Sequence, residues 1–251
     1  MGKARNLAQT HWKRSEKWHI MITSEAIYMK YLIDSATPAD VRRILEYYPA
    51  EGVTTNPTIV ARTRCEFGAM LKEMREILGD RMLHAQTMQT VAEKMVEEAL
   101  ALREFAGEPF FVKLPANPEG LKACMMLKKH GVGVTMTAIF TAQQALIAAR
   151  AGADFVAPYV NKLDDVGDGV GCVEKIAQLF CDHDLPTKIL AASFRNVEQV
   201  NSVALAGSHY ITLPPAFFEK LIWHPMTDIA IQGFEKDWTD AYGEKSPMDM
   251  I

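Results

Sequence analysis

The sequence predicts an α/β protein of the (β/α)8 type, a TIM barrel, with an extra C-terminal helix. From Tyr31 onward, short runs of β-forming residues alternate with longer amphipathic stretches, and eight such runs lie between residues 31 and 214. This alternation is typical of parallel strands covered by helices, and eight units close a barrel. A doubly wound open sheet is the alternative, but LIDSATPADV, around the first strand's end, lacks that fold's glycine-rich phosphate-binding fingerprint.

The predicted strands are short, apolar and rich in β-branched or aromatic residues. In chain order they are YLIDSA (31–36), GVTTNP (52–57), MLHAQTM (82–88), FFVKLP (110–115), VTMTAIF (134–140), DFVAPYV (154–160), KILAASF (188–194) and YITLP (210–214). Because each is followed by a helical stretch, we expect all eight to run parallel.

The stretches between the strands carry apolar residues at steps of three and four, which predicts amphipathic helices. TPADVRRILEYY has Pro38 in the first turn and Thr37 as the expected cap. NPEGLKACMMLKKHG ends on lysines and Gly131, a helix stop signal. TDIAIQGFEKDWTDAYG (227–243) exceeds what a barrel needs, so we expect it to pack on a neighbouring subunit or on the floor of its own barrel.

Residues 1–28 differ in composition from the rest of the chain, because they are basic, polar and without the apolar core of a signal peptide. We expect an extension here, either a disordered tail or the result of a start codon placed too early. Residues 29–251 are expected to form one barrel domain that includes the terminal helix. The segment DVGDGVG (165–171) does not fit G-x-G-x-x-G and is predicted to be a flexible loop before a helix.

Composition excludes several classes of function. The net charge is −4 without a basic stripe, so no nucleic-acid partner is expected. No apolar run reaches the roughly 18 residues that span a bilayer, so no membrane partner is expected either. Neither the cysteines nor the seven histidines show a metal-binding spacing, which predicts no metal site. The widely separated cysteines predict reduced thiols in a cytoplasmic protein. No other cofactor is expected. The four cysteines are Cys65, Cys124, Cys172 and Cys181.

Polar residues stand at the ends of seven consecutive predicted strands, at the rim where TIM barrels carry their reactive centres. In strand order they are Asp34, Thr54 with Asn56, Gln86, Lys113, Thr137, Tyr159 with Asn161 and Lys162, and Ser193 with Arg195. One buried polar residue is usually a satisfied core group, but a set of them at one rim indicates a site.

Lys113 is the most informative of these residues, because it interrupts an apolar strand. Alternation puts Phe111 and Lys113 on one face, so Lys113 is expected to point into the barrel. Burial lowers the pKa of a lysine from about 10.4, and a neutral amine can attack a ketone to form a Schiff base. The imine then withdraws electrons from the neighbouring carbon–carbon bond, which is the chemistry of a class I aldolase and needs no metal.

The neighbouring rim residues fit this chemistry. Asp34 would act as a proton acceptor or an orienting carboxylate, and a relay water would lie between Gln86, Thr137 and Tyr159. The alternative for Lys113 is a buried structural ion pair with Asp34.

Several motifs also occur in the order found in one family. YLIDSA, GVTTNPTIV, HAQTM, FVKLPANPEGL, TAIFTAQQALIAARAGADFVAPYVNKLDD and LAASFRN resemble the short-chain transaldolase family, in the branch that contains fructose-6-phosphate aldolase, over residues 30–242. The resemblance implies that Lys113 forms the Schiff base and that Asp34 is catalytic. It also implies substrate contacts from Thr54, Asn56 and Asn161, and phosphate contacts from Ser193 and Arg195. Lys162 replaces the family's usual arginine, and a lysine keeps the charge but not the bidentate geometry.

Gln86 and Tyr159 resemble the aldolase branch, since transaldolases typically carry glutamate and phenylalanine at these positions. A transaldolase keeps the enamine on lysine until an aldehyde acceptor arrives, whereas an aldolase protonates and hydrolyses it. A tyrosine hydroxyl beside the catalytic water would assist that proton transfer. The expected reaction is the reversible cleavage of fructose 6-phosphate to dihydroxyacetone and glyceraldehyde 3-phosphate.

Three alternatives to this activity stay open. One is transaldolase activity proper, and another is a related sulfonated ketose in a pocket formed by Lys162 and Arg195. The third is a barrel that binds a sugar phosphate without catalysis. The expected partners are a small sugar phosphate and, as the resemblance implies, further copies of the chain in a ring-based homo-oligomer, such as a decamer, joined through the C-terminal helix.

Overall fold

The computed structural model of the protein describes residues 29–251, and its eight parallel strands close into a barrel in the order β1 to β8. The strands are β1 (Lys30–Asp34), β2 (Ala50–Thr54), β3 (Met82–Gln86), β4 (Phe110–Pro115), β5 (Gly133–Ile139), β6 (Phe155–Pro158), β7 (Lys188–Ala191) and β8 (Tyr210–Leu213). Pairing of β8 with β1 closes the ring. The predicted TIM barrel is therefore confirmed, whereas the prediction about residues 1–28 lies outside the described residues.

Helices follow the strands and cover the barrel. They are α1 (Pro38–Tyr47), α2 (Pro57–Thr63), α3 (Phe67–Leu78), α4 (Ala92–Ala106), α5 (Pro118–Lys129), α6 (Ala142–Arg150), α7 (Val160–Asp164), α8 (Gly169–Asp182), α9 (Val197–Leu205), α10 (Pro215–Ile222) and α11 (Pro225–Tyr242), before a final 3-10 turn, Pro247–Met250. Asn56, Asn117 and Asn196 each begin a helix, because their side chains accept a hydrogen bond from a backbone N–H of the first turn. Within residues 29–251, no helix is both long and apolar enough to cross a membrane.

The alternation of side chains along the strands builds two apolar layers. Val112 and Leu114 of β4 belong to the outer core between strands and helices. Phe111, on the opposite face, packs in the lumen, where its ring meets Phe155 edge-on at 5.0 Å. Tyr210 extends this lumen cluster, with its ring 5.2 Å from that of Phe155. The lower lumen is therefore filled, and Lys113 lies above it.

Seven strands end one to three residues earlier than predicted, and only β4 ends at its predicted residue. β3 ends at Gln86 and not at residue 88, β6 ends at Pro158, and β7 ends at Ala191 and not at residue 194. In each case the β-forming residues continue after the regular ladder has stopped, so composition overestimates the strand. Beyond β6 and β7 an isolated bridge between Tyr159 and Ala192 continues the pairing, and backbone hydrogen bonds join the segments that follow.

The helices also differ from the predictions in places. The short helices α2 and α7 and the longer α3 were not predicted. The segment DVGDGVG is not a loop throughout, because α8 begins at Gly169, with the Asp168 side chain capping it through the N–H of Gly171. Thr37 occupies the N-cap position of α1, but its hydroxyl forms no capping bond to the described chain.

The terminal helix α11 begins two residues before its predicted start and ends at Tyr242. Its apolar side chains are largely uncovered, since Ile229 is 58% and Phe234 is 70% exposed. None of its residues is buried against the described part of this chain. The expectation that α11 packs on the floor of its own barrel is therefore wrong.

Candidate active site

Lys113 lies in the lumen near the carboxyl ends of the strands. It is only 6% exposed, and its Nζ donates to the backbone carbonyl of Thr55 at 2.8 Å. Because β3 separates β4 from the end of β2, this bond crosses the interior of the barrel. Burial lowers the pKa of Lys113, and the negative charge of Asp34 raises it to a lesser extent. The site therefore favours the neutral, nucleophilic amine.

Asp34 ends β1 and is held by a hydroxyl. Thr54 Oγ1 donates to Asp34 Oδ1 at 2.8 Å. Burial raises the pKa of Asp34, while the charge of Lys113 and the bond from Thr54 lower it. In the described structure Asp34 and Lys113 form no direct ion pair, so the structural ion pair considered above is not what holds the lysine. A carbonyl partner accepts from an amine in either protonation state, so Lys113 keeps its position when it loses its proton.

Thr137 and Tyr159 meet on the adjoining wall. Thr137 Oγ1 and the Tyr159 hydroxyl are 2.9 Å apart, and the Phe140 ring packs edge-on against Tyr159 at 5.7 Å between centroids. Gln86, which is half-buried, is the direct neighbour of Lys113 in the β3–β4 register. The predicted proton-transfer residues therefore lie on β3, on β5 and directly after β6, on the same side of the barrel as the lysine.

The residues predicted to hold the anion lie outside the strands. Asn161 and Lys162 are on α7 and not at the end of a strand, because the chain turns into a helix directly after Tyr159. The N–H of Asn161 donates to the carbonyl of Ser193 at 2.8 Å, which joins α7 to the loop after β7. Lys162 Nζ lies 5.5 Å from the centroid of the Tyr159 ring. This arrangement brings a cation next to the predicted proton-transfer group.

Besides Thr54, two further predicted substrate contacts already have partners within the described chain. Arg195 is exposed and forms an ion pair with Asp165, with its Nη2 3.1 Å from Oδ1. An incoming anion would compete with Asp165 for this guanidinium. Asn56 Oδ1 accepts from the N–H of Ile59 at 3.0 Å, so its side chain orients α2 and has its amide N–H groups left for a ligand.

Sequence reasoning missed two residues of this lumen. Thr212 on β8 has its Oγ1 2.6 Å from Thr54 Oγ1. His84 on β3 is fully buried, with its Nδ1 2.9 Å from Thr135 Oγ1 and its ring stacked on Phe111 at 4.8 Å. The signal for His84 was its two-residue spacing from Gln86, which places both side chains on the same face of β3. The signal for Thr212 was its position as a polar residue within the apolar strand YITLP.

Three buried polar side-chain atoms have no hydrogen-bond partner in the described chain. Among the described residues they are His84 Nε2, Thr87 Oγ1 and Asn161 Oδ1. Such atoms are costly to bury, and they lie on β3, directly after β3 and on α7. No group of three His, Cys, Asp or Glu side chains in residues 29–251 is arranged to hold a metal ion.

The buried histidines make the stability of the fold depend on pH. Burial lowers the pKa of His84 from 6.5 to about 3 and that of His209 to about 4. The unfolded chain therefore binds more protons than the folded chain below pH 6.5, and stability falls as the pH falls toward 4. Each histidine is expected to cost about 2 kcal/mol between pH 7.5 and pH 5, measured by urea unfolding.

His84→Phe should flatten this slope by one proton, whereas the same measurement on His183→Gln, at an exposed histidine, should reproduce the original slope. The raised pKa of Asp34 makes its own contribution to stability increase as the pH falls, which opposes the effect of the histidines. The effect of His84 is therefore measured as the difference in slope between the variant and the original protein. An unchanged slope in His84→Phe would contradict a neutral buried imidazole.

Comparison with solved structures supports the fold. A mandelate oxidase mutant superposes with a TM-score of 0.54 at 10% identity, covering 76% of this chain and 65% of that one. A flavocytochrome b2 variant superposes with a TM-score of 0.55 at 11% identity, covering 77% of this chain and 58% of that one. This chain thus spans less than two thirds of either structure, and identities this low indicate a shared barrel and nothing about activity.

Sequence comparison is more specific. A protein named "Probable transaldolase" from Exiguobacterium sibiricum is 42% identical over 214 residues, which cover 85% of this chain and 99% of that one. Another with that name, from Symbiobacterium thermophilum, is 43% identical over 216 residues, with 86% and 99% coverage. "Probable transaldolase 2" from Listeria monocytogenes is 39% identical over 218 residues, with the same coverage. The profile of the transaldolase/fructose-6-phosphate aldolase family matches residues 31–246. The predicted resemblance is confirmed, and this chain belongs to the transaldolase/fructose-6-phosphate aldolase family.

Proposed function

We propose that the protein is a class I aldolase that cleaves fructose 6-phosphate reversibly to dihydroxyacetone and glyceraldehyde 3-phosphate. The observation that carries this proposal is the amine of Lys113, which is buried in the lumen, held by the carbonyl of Thr55 and has a lowered pKa. An amine of this kind is a nucleophile toward ketones. Asp34, across the lumen, is a carboxylate suited to accept a proton.

The proposed cleavage has balanced steps. The neutral Lys113 amine adds to the substrate's carbon 2, the carbonyl oxygen leaves as water, and one proton taken up from solvent gives a protonated imine. Asp34 takes the proton of the hydroxyl on carbon 4, a carbonyl forms there, and the bond between carbons 3 and 4 breaks. The electron pair of that bond moves toward the imine and yields an enamine, while glyceraldehyde 3-phosphate leaves. The proton that Asp34 accepted offsets the one that carbon 3 receives, so the carboxylate is restored. Water then hydrolyses the protonated imine, which releases dihydroxyacetone, the proton taken up at the start and the free lysine amine.

The fate of the enamine separates this activity from transaldolase activity, the second candidate function. The names of the relatives favour a transferase. The pair formed by Gln86 and Tyr159 favours the lyase, because the Tyr159 hydroxyl, 2.9 Å from Thr137 Oγ1, is available for proton transfer to the enamine.

Product analysis with fructose 6-phosphate as the only substrate tests this choice. Free dihydroxyacetone, formed in amounts equal to glyceraldehyde 3-phosphate, supports the aldolase. Strict dependence on an added aldehyde acceptor, without release of the ketone, would establish the transferase instead. Binding of the sugar phosphate without turnover, and without a borohydride-trapped adduct, would identify a non-catalytic barrel.

Tyr159→Phe removes the hydroxyl and keeps the ring. We expect release of dihydroxyacetone to fall by about 10-fold or more, while transfer to an aldehyde acceptor falls less, so the ratio of transfer to release rises. Both products are measured in one reaction with labelled donor. Tyr210→Phe, which removes a phenol from the lower lumen, is the control and should leave the ratio unchanged. If the ratio is unchanged in Tyr159→Phe, this tyrosine does not favour the aldolase over the transaldolase.

We also propose that Lys162, Ser193 and Arg195 receive the anionic group of the substrate. A lysine is a point charge and does not impose the bidentate geometry that arginine does, so the identity of the anion needs a direct test. Turnover of phosphorylated and sulfonated ketoses of equal chain length should be compared. If the sulfonated sugar is preferred, the assignment of fructose 6-phosphate as the substrate is wrong, whereas the proposed chemistry at Lys113 is unaffected.

We further propose that the protein acts in the cytoplasm as a ring-based homo-oligomer, such as a decamer, joined through α11. Cys65, Cys124 and Cys172 are free thiols, as expected for a reducing compartment. The apolar side chains of α11, including Ile229 and Phe234, are exposed in the single chain, and such a surface is usually covered. Light scattering on the intact chain should give a multiple of the mass of 28.0 kDa. Ile229→Asp combined with Phe234→Asp should reduce it.

A further inference from the structure

A chain of two hydroxyl groups leads from β8 to the carboxylate of Asp34. Thr212 Oγ1 lies 2.6 Å from Thr54 Oγ1, and Thr54 Oγ1 lies 2.8 Å from Asp34 Oδ1. Thr54 is fully buried and Thr212 is 3% exposed, so bulk water does not compete for either bond. These two hydrogen bonds lie inside the barrel. They connect Thr212 on β8 with Thr54 on β2, and Thr54 with Asp34 on β1, the strand between them.

The chemistry of the groups sets the direction of these bonds. An ionised carboxylate only accepts, so the single hydroxyl proton of Thr54 is committed to Asp34. The bond between the two threonines therefore takes its proton from Thr212. Donation into Thr54 polarises its hydroxyl and makes it a stronger donor to the carboxylate, because hydrogen bonds in series reinforce one another in a medium of low dielectric constant.

Other threonines of the same protein show what a merely structural hydroxyl does. Thr187, which is 2% exposed, donates to the backbone carbonyl of Ala153 at 2.8 Å. Thr63 likewise donates to the carbonyl of Val60 at 2.7 Å. Thr212 instead donates to a hydroxyl whose own proton is held by a proposed catalytic carboxylate.

We propose that Thr212 is a positioning residue of the active site, which acts through Thr54 to orient Asp34 and to set its basicity. This inference rests on the proposed function, in which Asp34 accepts a proton during carbon–carbon bond cleavage. Thr212 does not contact the reacting atoms. Its effect is that one oxygen of Asp34 is fixed by Thr54 and the other stays directed to the substrate.

The surroundings of Asp34 make its protonation a usable readout. Lys113, across the lumen, is the charged group that acts on Asp34. The flanking strands β2 and β8 present Thr54 and Thr212, and Tyr210 lies two residues below Thr212 on β8. Loss of the Thr212 hydroxyl weakens donation from Thr54, so the pKa of Asp34 should rise. The acid limb of the kcat profile should then move to higher pH.

The test compares Thr212→Val, Thr212→Ser and Thr187→Val in the full chain. Thr212→Val keeps the volume, and we expect kcat to fall about three- to ten-fold with KM unchanged, and the acid limb to move to higher pH by a few tenths of a unit. Thr212→Ser retains a hydroxyl and should restore both. Thr187→Val loses an equally buried hydroxyl and should keep the original kcat and acid limb even where urea unfolding shows that stability is lost.

Thr212→Val with the original kcat and acid limb would overturn the inference, and so would an equal effect of Thr187→Val. Failure of the proposed function looks different, because the unaltered protein would then give no ketone adduct at Lys113 after borohydride treatment. An adduct at Lys113 together with an unaffected Thr212→Val variant would reject the role of Thr212 alone.

Discussion

Lys113→Met will reduce cleavage of fructose 6-phosphate by about 10⁴-fold or more, because methionine fills the same space without a nucleophile. Borohydride reduction in the presence of dihydroxyacetone should label the original protein and not the variant. Peptide mass mapping should place the label on the peptide that contains Lys113. Lys122→Met, on the helix that follows β4, is the control and should retain both activity and label.

The loss of activity will not reflect unfolding. Burial lowers the pKa of Lys113, so at neutral pH the folded state accommodates the charged ammonium form less favourably than the unfolded chain does. Replacing it with an apolar side chain should leave urea stability unchanged or increased. Label on any other lysine, or activity retained by Lys113→Met, would overturn the site.

Asp34→Asn should lower kcat by about 10²- to 10³-fold, since an amide cannot accept the proton of the hydroxyl group on carbon 4. Imine formation should survive, so trapping with borohydride separates this step from bond cleavage. The charge of Asp34 raises the pKa of Lys113, and its removal lowers that pKa. The pH at which trapping becomes efficient should therefore move to lower values in the variant.

Glu51→Gln provides the control for this experiment. Glu51 is an exposed carboxylate near the other end of β2, so its removal should change neither kcat nor the pH dependence of trapping. If Asp34→Asn cleaves the substrate at the original rate, the carboxylate is not the proton acceptor.

The sequence predicted an element well where the element is long or where a residue such as proline marks its end. FFVKLP was predicted as residues 110–115, and β4 has those bounds, because a proline follows the apolar run directly. The helix α2 has seven residues and α7 has five, and neither is long enough to show an amphipathic period. The ends of β6 and β7 were placed too late, because β-branched and aromatic residues continue after ladder pairing has ended.

The predicted site residues came from one rule, that polar residues at the rim of a barrel converge. This rule brought together Asp34, Thr54 and Lys113, which lie near one another in the lumen. It missed Thr212, whose partner Thr54 is 158 residues away and becomes a neighbour only when β8 closes onto β1. It also missed the ion pair between Asp165 and Arg195, because a loop conformation determines which charges meet.

The bond from Lys113 to the carbonyl of Thr55 has a consequence for protein engineering. A main-chain oxygen remains in place whatever side chain residue 55 carries, so point substitution does not delete it. The orientation of the Lys113 side chain therefore does not depend on which side chains surround it at the rim. Libraries that vary the side chains of the rim should therefore retain Lys113 in its present orientation in most of their members.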